Sequence, residues 1–460
     1  MANLSEFQGK STVDLIYEYH KKKGDSHPVR GYLGASIIGH PCERYLWYCF
    51  RQACAPDFSG RMYRLFETGD LAENRFTREL RAIGCEVHDH QPPPADFSEG
   101  HPNGEIYEAK QFEITDFGGH FSGHMDGCAL GLTEAPKTWH VLEYKTHNNK
   151  SFKKLQKEGV KKSKPMHYAQ MQAYMYKTGM KRALYLAVNK DTDELYMERV
   201  YYDKSYCEGL MEKAKRIITA SDPPPRISER RDYYICGWCD AKAVCHGTEQ
   251  PEPALTLPSL SCRQCCHATP NIEGDGAQWK CEKVSNKEIT DTCQGAICAD
   301  HLILPGLISF SKPTNHGVDE EGNDFIEFMN TDGLTWKHGR SGFSTLELCT
   351  ISAENLTNEV IKEAKESFGA EVKSTERDLL PEYPDKPVWK GPSCDLFKEW
   401  KRRYKEDLKD LKPVRKCQMF DYGCLEYKGV SVDSRELDFP DRLVVAYKDS
   451  TAEIREGIPF

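Results

Sequence analysis

An α/β core, followed by a cysteine-rich module and an α+β C-terminal region, is the fold class that this 460-residue chain predicts. Three observations carry the prediction. Between residues 61 and 220, helical apolar periodicity gives way to short strand-like runs and then returns. Eight Cys and His residues crowd into 262–301, behind a stretch marked by Pro251, Pro253 and Pro258. From about residue 309 the pattern changes once more. A hydrophobic content of 39% and a charged content of 29% suit a soluble protein with an adequate core. The expected domains are 1–248, 249–308 and 309–460.

Thr12 to Lys22 reads as a short amphipathic helix, with Val13, Ile16, Tyr17 and His20 on one side. Gly31 to Phe50 brings Cys42, Arg44 and an aromatic group of Tyr45, Trp47, Tyr48 and Phe50. Packing is the expected role of these aromatics, and Arg44 is a candidate phosphate contact. Residues 61–83 predict a helix through Leu65, Phe66, Leu71, Phe76 and Leu80, ended by Gly84. Strands are expected at 85–90, 105–115, 119–129 and 139–146. A helix at 166–178, strands at 182–189 and 194–201, and a helix at 203–220 follow. Asp222-Pro223-Pro224-Pro225 breaks that last helix. Farther on, Glu354 to Phe368 and residues 396–411 carry helical patterns, and 398–416 holds nine basic residues against four acidic ones.

A formal net charge of −9 argues against a generally basic nucleic-acid coat, although binding depends on local charge. Seven lysines against Glu158 between 150 and 164 make one locally basic stretch. It is expected either to border the active site or to form a solvated flexible loop. No apolar run is long enough to cross a bilayer, and Met1 to Glu6 lack the basic start and apolar core of a secretory signal. Nineteen cysteines, many at metal-like spacings, fit metal-bound thiolates in a reducing cytoplasm better than disulfides.

The chemistry concentrates in Gly123-His124-Met125-Asp126-Gly127 and Glu143-Tyr144-Lys145, seventeen residues after Asp126. Residues two apart on a strand share a face, so Glu143 and Lys145 project together and Tyr144 turns away. An acid from one strand beside a Glu and a Lys from the next suits a hard divalent cation with an ammonium alongside. That combination serves phosphodiester hydrolysis. His124 shares the Asp126 face, where a hydrogen-bonded structural role is the expectation.

Upstream stands Arg64-Leu65-Phe66-Glu67-Thr68-Gly69-Asp70-Leu71-Ala72-Glu73, and downstream Gln170-Met171-Gln172-Ala173-Tyr174. Together with Asp126 and Glu143-x-Lys145, these resemble the PD-(D/E)XK nuclease superfamily in its RecB-type branch, over roughly residues 30 to 250. Met125 stands where the family name has Pro, and Glu73 where many relatives have His. The resemblance implies a restriction-endonuclease-like core, a central mixed sheet flanked by helices. It implies Mg2+ or Mn2+ on Asp126 and Glu143, helped by Glu73 and the backbone carbonyl of Tyr144. Lys145 would orient the nucleophile or offset charge, with Gln170 and Tyr174 positioning substrate or water beside it. The implied activity is a metal-dependent DNA exonuclease for recombination, repair or DNA processing, from a phage or a prokaryote. If phage-encoded, it would act in the host cytoplasm.

Cys236-Gly237-Trp238-Cys239 followed by Cys245, with Cys42 far ahead, resembles the iron–sulfur RecB/AddB-type nucleases, including CRISPR-associated DNA exonucleases. There a [4Fe-4S] cluster staples the ends of the nuclease domain. Zinc held by the trio and His246 is the alternative, and Cys49 and Cys54 compete with Cys42. In the next module Cys262, Cys265, Cys281 and Cys298 are the candidate zinc ligands, with Cys293 and His301 in reserve. DNA, single-stranded or with duplex ends, is the expected partner. The chain has no phosphate-cradling glycine loop, so any helicase or recombination partner would be a separate chain. A structure-selective endonuclease and a non-catalytic nucleic-acid-binding scaffold are the competing readings.

Overall fold

The computed structural model describes residues 10–92, 110–248, 254–284, 287–289, 298–331 and 333–351. It also describes three short strands, β15 to β17, at Lys412–Val414, Cys424–Tyr427 and Val430–Asp433. The helices expected at 354–368 and 396–411, Cys293, the start of the strand expected at 105, and most of the C-terminal region lie outside the described residues.

Helix α1 (Thr12–Asp25) opens on a capping box, in which Ser11 and Asp14 satisfy each other's backbone N–H groups. Only His20 is buried on it, while Val13 and Ile16 remain exposed. The short strand β1 (Leu33–Gly34) and helix α2 (Glu43–Phe50) follow, and α2 buries Leu46, Trp47, Tyr48 and Phe50 as its aromatics required. Arg44 does not reach outward. Its guanidinium donates to the Tyr48 hydroxyl and the Pro224 carbonyl, bracing α2 against the proline segment. Helix α3 (Gly60–Ala82) is capped by Ser59 and ends where Gly84 takes φ +93°, close to the expected bounds.

Next come β2 (Glu86–His88), β3 (Phe112–Asp116), β4 (Phe121–Met125), β5 (Cys128–Leu130) and β6 (His140–His147). The single strand expected over 119–129 is therefore two. Strand β4 joins a three-stranded sheet, parallel to β1 and antiparallel to β3. Strand β5 joins a five-stranded mixed sheet of order β2-β5-β6-β7-β8. The switch is made at Gly127, whose φ of +139° and close approach to the His88 carbonyl exclude a side chain.

Helix α4 (Asn149–Ser163) occupies the lysine-rich stretch, so that stretch is not a flexible loop. Asn148 caps it and Phe152, Leu155 and Val160 bury its inner face, leaving most of the lysines outside. Helix α5 (Pro165–Thr178) then leads to β7 (Arg182–Asn189), β8 (Leu195–Tyr201) and helix α6 (Lys204–Thr219). Strands β6 and β7 pair parallel, with Glu143 opposite Tyr185 and Lys145 opposite Ala187. The other neighbours in this sheet are antiparallel. On one face of β6, Phe76 and Leu80 of α3 pack with Leu142 and Tyr144. Each such side chain contributes about 1.5–3 kcal/mol.

After the short helix α7 (Lys242–His246), strands β9 (Ala268–Pro270), β10 (Trp279–Cys281) and β11 (Lys287–Ile289) form a small antiparallel sheet. A second is formed by β12 (Ser311–Val318), β13 (Asp324–Asn330) and β14 (Thr335–Gly339), followed by helix α8 (Thr345–Thr350). One apolar core runs from Leu33 to Leu348 across all of these. Trp279 stacks on Phe50 with ring centres 5.4 Å apart. Arg51 donates to the carbonyls of Arg263 and Ala268, and Gln264 to that of Gln52. Apolar packing and hydrogen bonds therefore link the described residues on either side of 249–253. The end of the expected linker is docked too, since Ala254 and Leu255 are buried and bonded to the carbonyls of Ile351 and Leu348. Among the described residues no helix is long and apolar enough to cross a membrane.

Candidate active site

The site forms where the two sheets part. Strand β4 ends just before Asp126 and belongs to the other sheet, so the Tyr144 N–H of β6 is met by a side chain rather than by a strand. Asp126 Oδ2 accepts that N–H at 2.6 Å, and Gly127 O accepts the N–H of Leu142. The carboxylate of Asp126 is thereby fixed beside the Glu143–Lys145 segment of β6. Period-two alternation holds along the strand: Tyr144 faces α3, its ring 5.2 Å from Phe76, while Glu143 and Lys145 turn to the other face.

Glu143 is completely buried. Lys145 Nζ lies 2.6 Å from Glu143 Oε1 as an ion pair, yet neither carboxylate oxygen of Glu143 accepts a well-directed hydrogen bond. The ammonium donates instead to the Tyr144 carbonyl at 2.8 Å, so the carbonyl expected to help a metal is engaged by Lys145. Burial, and then the neighbouring Asp126, push the Glu143 carboxyl up to about 8 against the pull of Lys145. Burial raises Asp126 as well, opposed by Lys145 and the Tyr144 N–H. Burial works against the Lys145 ammonium, but Glu143, Asp126 and Glu73 outweigh it and raise its pKa.

Glu73 projects from α3 and is half-buried. Burial and Asp126 push it up to about 7. Among the described residues no three His, Cys, Asp or Glu side chains are grouped tightly enough to hold one metal ion. Glu73 therefore stands within electrostatic range of Asp126 and Lys145 without completing a ready-made cage. Asp126 and Glu143 remain as two carboxylates within electrostatic range of each other, the oxygen donors a hard cation takes. Magnesium asks for no more, because it is commonly held by one or two carboxylates and retains its waters. A buried carboxylate whose ion-pair partner is Lys145, with no well-directed hydrogen bond to either oxygen, is the feature such an ion would satisfy.

Gln170 and Tyr174, one turn apart on α5, are joined to each other: Gln170 Nε2 donates to the Tyr174 hydroxyl at 3.0 Å. That hydroxyl donates to the His124 carbonyl at 2.6 Å, two residues before Asp126. The pair therefore anchors the end of β4 and acts on the site by positioning it. His124 itself is exposed, with its ring 6.5 Å from that of Tyr32.

Sequence reasoning missed a neighbouring group on the same face. His147 lies two residues beyond Lys145, and its Nε2 is 2.8 Å from the Tyr185 hydroxyl. His167 Nδ1, from the first turn of α5, is 2.9 Å from the same oxygen. Burial, with the cations Lys145 and Lys164 nearby, pushes His147 down to about 4 and His167 to about 3, so both rings are neutral at pH 7. The period-two spacing Glu143, Lys145, His147 was the available signal.

Cys42, Cys236, Cys239 and Cys245 border one cavity, without three of them being grouped tightly enough to hold a single metal ion. The cavity is small and partly open, with Tyr45, Tyr48 and His246 also in its lining. Cys42 caps α2, its sulfur accepting the Tyr45 N–H. Burial pushes the Cys239 thiol up to about 12 and raises Cys236, so these groups are neutral thiols at pH 7. Cys49 and Cys54 pair separately, 3.9 Å apart. In the next module Cys262 and Cys265 lie in one tight turn, Cys281 ends β10, and Cys298 is exposed. His301 is not a spare ligand: its nitrogens meet Thr345 Oγ1 and the Ser261 carbonyl at 2.9 and 3.0 Å.

No family model matches the sequence, and no curated protein matches it. Among solved structures, the chain is similar to SSO0001 at 12% identity and a TM-score of 0.31, over 52% of this chain and 99% of that one. It is similar to LHK-Exo in complex with dAMP at 16% identity and a TM-score of 0.27, over 41% of this chain and 86% of that one. A second structure, of the alkaline exonuclease LHK-Exo from Laribacter hongkongensis, is similar at 14% identity and a TM-score of 0.25. It covers 44% of this chain and 89% of that one.

Proposed function

We propose that this chain is a metal-dependent DNA nuclease of the PD-(D/E)XK kind, working as an exonuclease. The observation that carries the reading is the buried Glu143 carboxylate, its oxygens without a directed donor, between Asp126 and Lys145. Burying two acids beside one lysine is costly unless a further cation repays it. When bound to Asp126 and Glu143, Mg2+ or Mn2+ supplies a water of lowered pKa and a polarised phosphate. Lys145, part-open to solvent and held charged by its acidic neighbours, orients the nucleophile or offsets the charge that builds on the phosphate. Glu73 adds negative potential that favours the cation. Tyr174 and Gln170 hold β4, and therefore Asp126, in register with β6.

In this reading the thiols of Cys42, Cys236, Cys239 and Cys245 hold a [4Fe-4S] cluster, which suits four sulfur donors spread around one cavity. The cluster ties α2 to the segment beyond α6. Zinc in the following module would draw on Cys262, Cys265, Cys281 and Cys298. DNA is the partner, and the preference for ends rests on the resemblance of the motif set.

The test is incubation of end-labelled single- and double-stranded DNA with Mg2+ or Mn2+, beside Lys145→Ala and Asp126→Asn. Cleavage by the wild type and a fall of roughly 10²-fold or more in each variant, with DNA still bound, is the expected result. Binding without cleavage under either metal would overturn the nuclease reading. Closed circular DNA resists an exonuclease and would be cut by an endonuclease.

A further inference from the structure

The group around Tyr185 forms one continuous line of polar contacts, with a fixed donor at its Lys164 end. Lys164 donates to Ser151 Oγ, since an ammonium has only hydrogens to offer. Ser151 keeps one hydrogen of its own, and His147 Nδ1 lies 3.4 Å away, where it takes that hydrogen if the ring carries its proton on Nε2. A neutral imidazole that accepts at Nδ1 carries its proton on Nε2, and His147 Nε2 faces the Tyr185 hydroxyl at 2.8 Å. In that arrangement the Tyr185 hydroxyl has its own hydrogen to give to His167 Nδ1 at 2.9 Å. His167 is then left with its proton on Nε2. The ring is half-buried on the first turn of a helix whose N-terminus has no side-chain cap, where the helix field favours anions. No protein group among the described residues takes that N–H, and Lys145 lies within electrostatic range.

We propose that His167 is a substrate-binding residue whose neutral Nε2–H donates to a non-bridging oxygen of the phosphodiester beside Lys145, held in that tautomer by the chain Lys164–Ser151–His147–Tyr185. The inference rests on the nuclease reading for its substrate, but the tautomer does not. Both rings must be neutral for the chain to run, and burial keeps them so. A neutral donor binds phosphate oxygen without adding a further charge to a site already holding Lys145. His147 and Tyr185 act through His167 and are positioning residues.

Nitrogen NMR of the histidine-labelled full chain reads the tautomers directly. Wild type is expected to show Nε2–H at both rings, and Tyr185→Phe to lose the preference at His167. With Ca2+ in place of Mg2+, a 5′-phosphorylated single-stranded oligonucleotide should move the His167 Nε2–H resonance. It should bind His167→Ala about tenfold more weakly, and His167→Gln, whose amide can reach the same place, within about threefold. With Mg2+, kcat should fall roughly 10²-fold in His167→Ala and largely recover in His167→Gln. An Nδ1–H tautomer at His167, or an oligonucleotide that binds without moving that resonance, overturns the inference and leaves the nuclease reading intact. A wild-type protein that neither binds nor cleaves DNA overturns both.

Discussion

Asp126 Oδ2 accepts the backbone N–H of Tyr144 at 2.6 Å, and this bond couples the parting of two sheets to the placing of the acids. Where one sheet gives way to the other, a backbone donor on β6 lacks a strand acceptor, and a buried donor left unmet is costly. Here the residue just after β4 supplies the acceptor, and the acceptor is the carboxylate expected to meet the cation. Structural and chemical roles meet in one side chain.

That coupling makes Tyr174 a sensitive position. Tyr174→Phe removes the hydroxyl that ties α5 to the His124 carbonyl and accepts from Gln170. A loss of about 1–2 kcal/mol in urea unfolding is expected. DNA cleavage should drop about tenfold as Asp126 loses its register, with kcat falling more than KM rises. Unchanged cleavage would detach the pair from the site.

Gly127→Ala should be worse for the fold than its size suggests. The residue sits at φ +139°, and an added Cβ would approach the His88 carbonyl oxygen to 2.5 Å. Strain of about 1–3 kcal/mol is expected from the dihedral alone, read as a lower Tm. Since β4 and β5 must separate here, DNA cleavage should be lost with it.

His338 gives a pH signature away from the acids. It is fully buried, accepts the Ile303 N–H at 2.8 Å and faces the Phe343 carbonyl at 2.7 Å, and burial pushes it down to about 4. Its unfolded value is about 6.5. Between these values the unfolded chain takes up a proton that the folded chain refuses. The stability it contributes is therefore complete above pH 6.5 and lost as pH falls toward 4. The gap in unfolding free energy between wild type and His338→Gln should narrow by up to about 1.4 kcal/mol per pH unit across that window. A constant gap would show that the ring is not held neutral.

The cysteine cavity predicts a colour. Protein purified without oxygen should be brown with broad visible absorbance and contain iron, and Cys239→Ala should lose both. Colourless protein carrying zinc in its place would assign the quartet to zinc. A chelator that strips either metal should loosen α2 from the segment beyond α6, seen as earlier proteolysis near Pro223.

Much of this was legible before any coordinates. The α3 helix declared itself through apolar spacing and Gly84, because both signals are local. Glu143 and Lys145 could be put on one face because alternation along a strand is set by backbone geometry. Cys42 could be grouped with the later trio only through a resemblance, since nothing local ties residue 42 to residue 236. The break at Asp126-Gly127 was invisible, because Gly after a strand reads equally as a bulge, a turn or an end. The lysine-rich stretch was expected to border the active site or to form a loop, and its helix went unread because charge masked Phe152, Leu155 and Val160.

By itself the chain of residue types determined which acids, lysine and thiols were available, and which of them shared a strand or helix face. Local periodicity and side-chain chemistry suffice for that. Only the tertiary structure decided that two sheets part at Asp126, that Tyr174 secures that point, and that His147 and His167 meet at one hydroxyl. Those outcomes depend on contacts between residues 18 to 50 positions apart, where packing and the pairing of buried polar groups choose the partner.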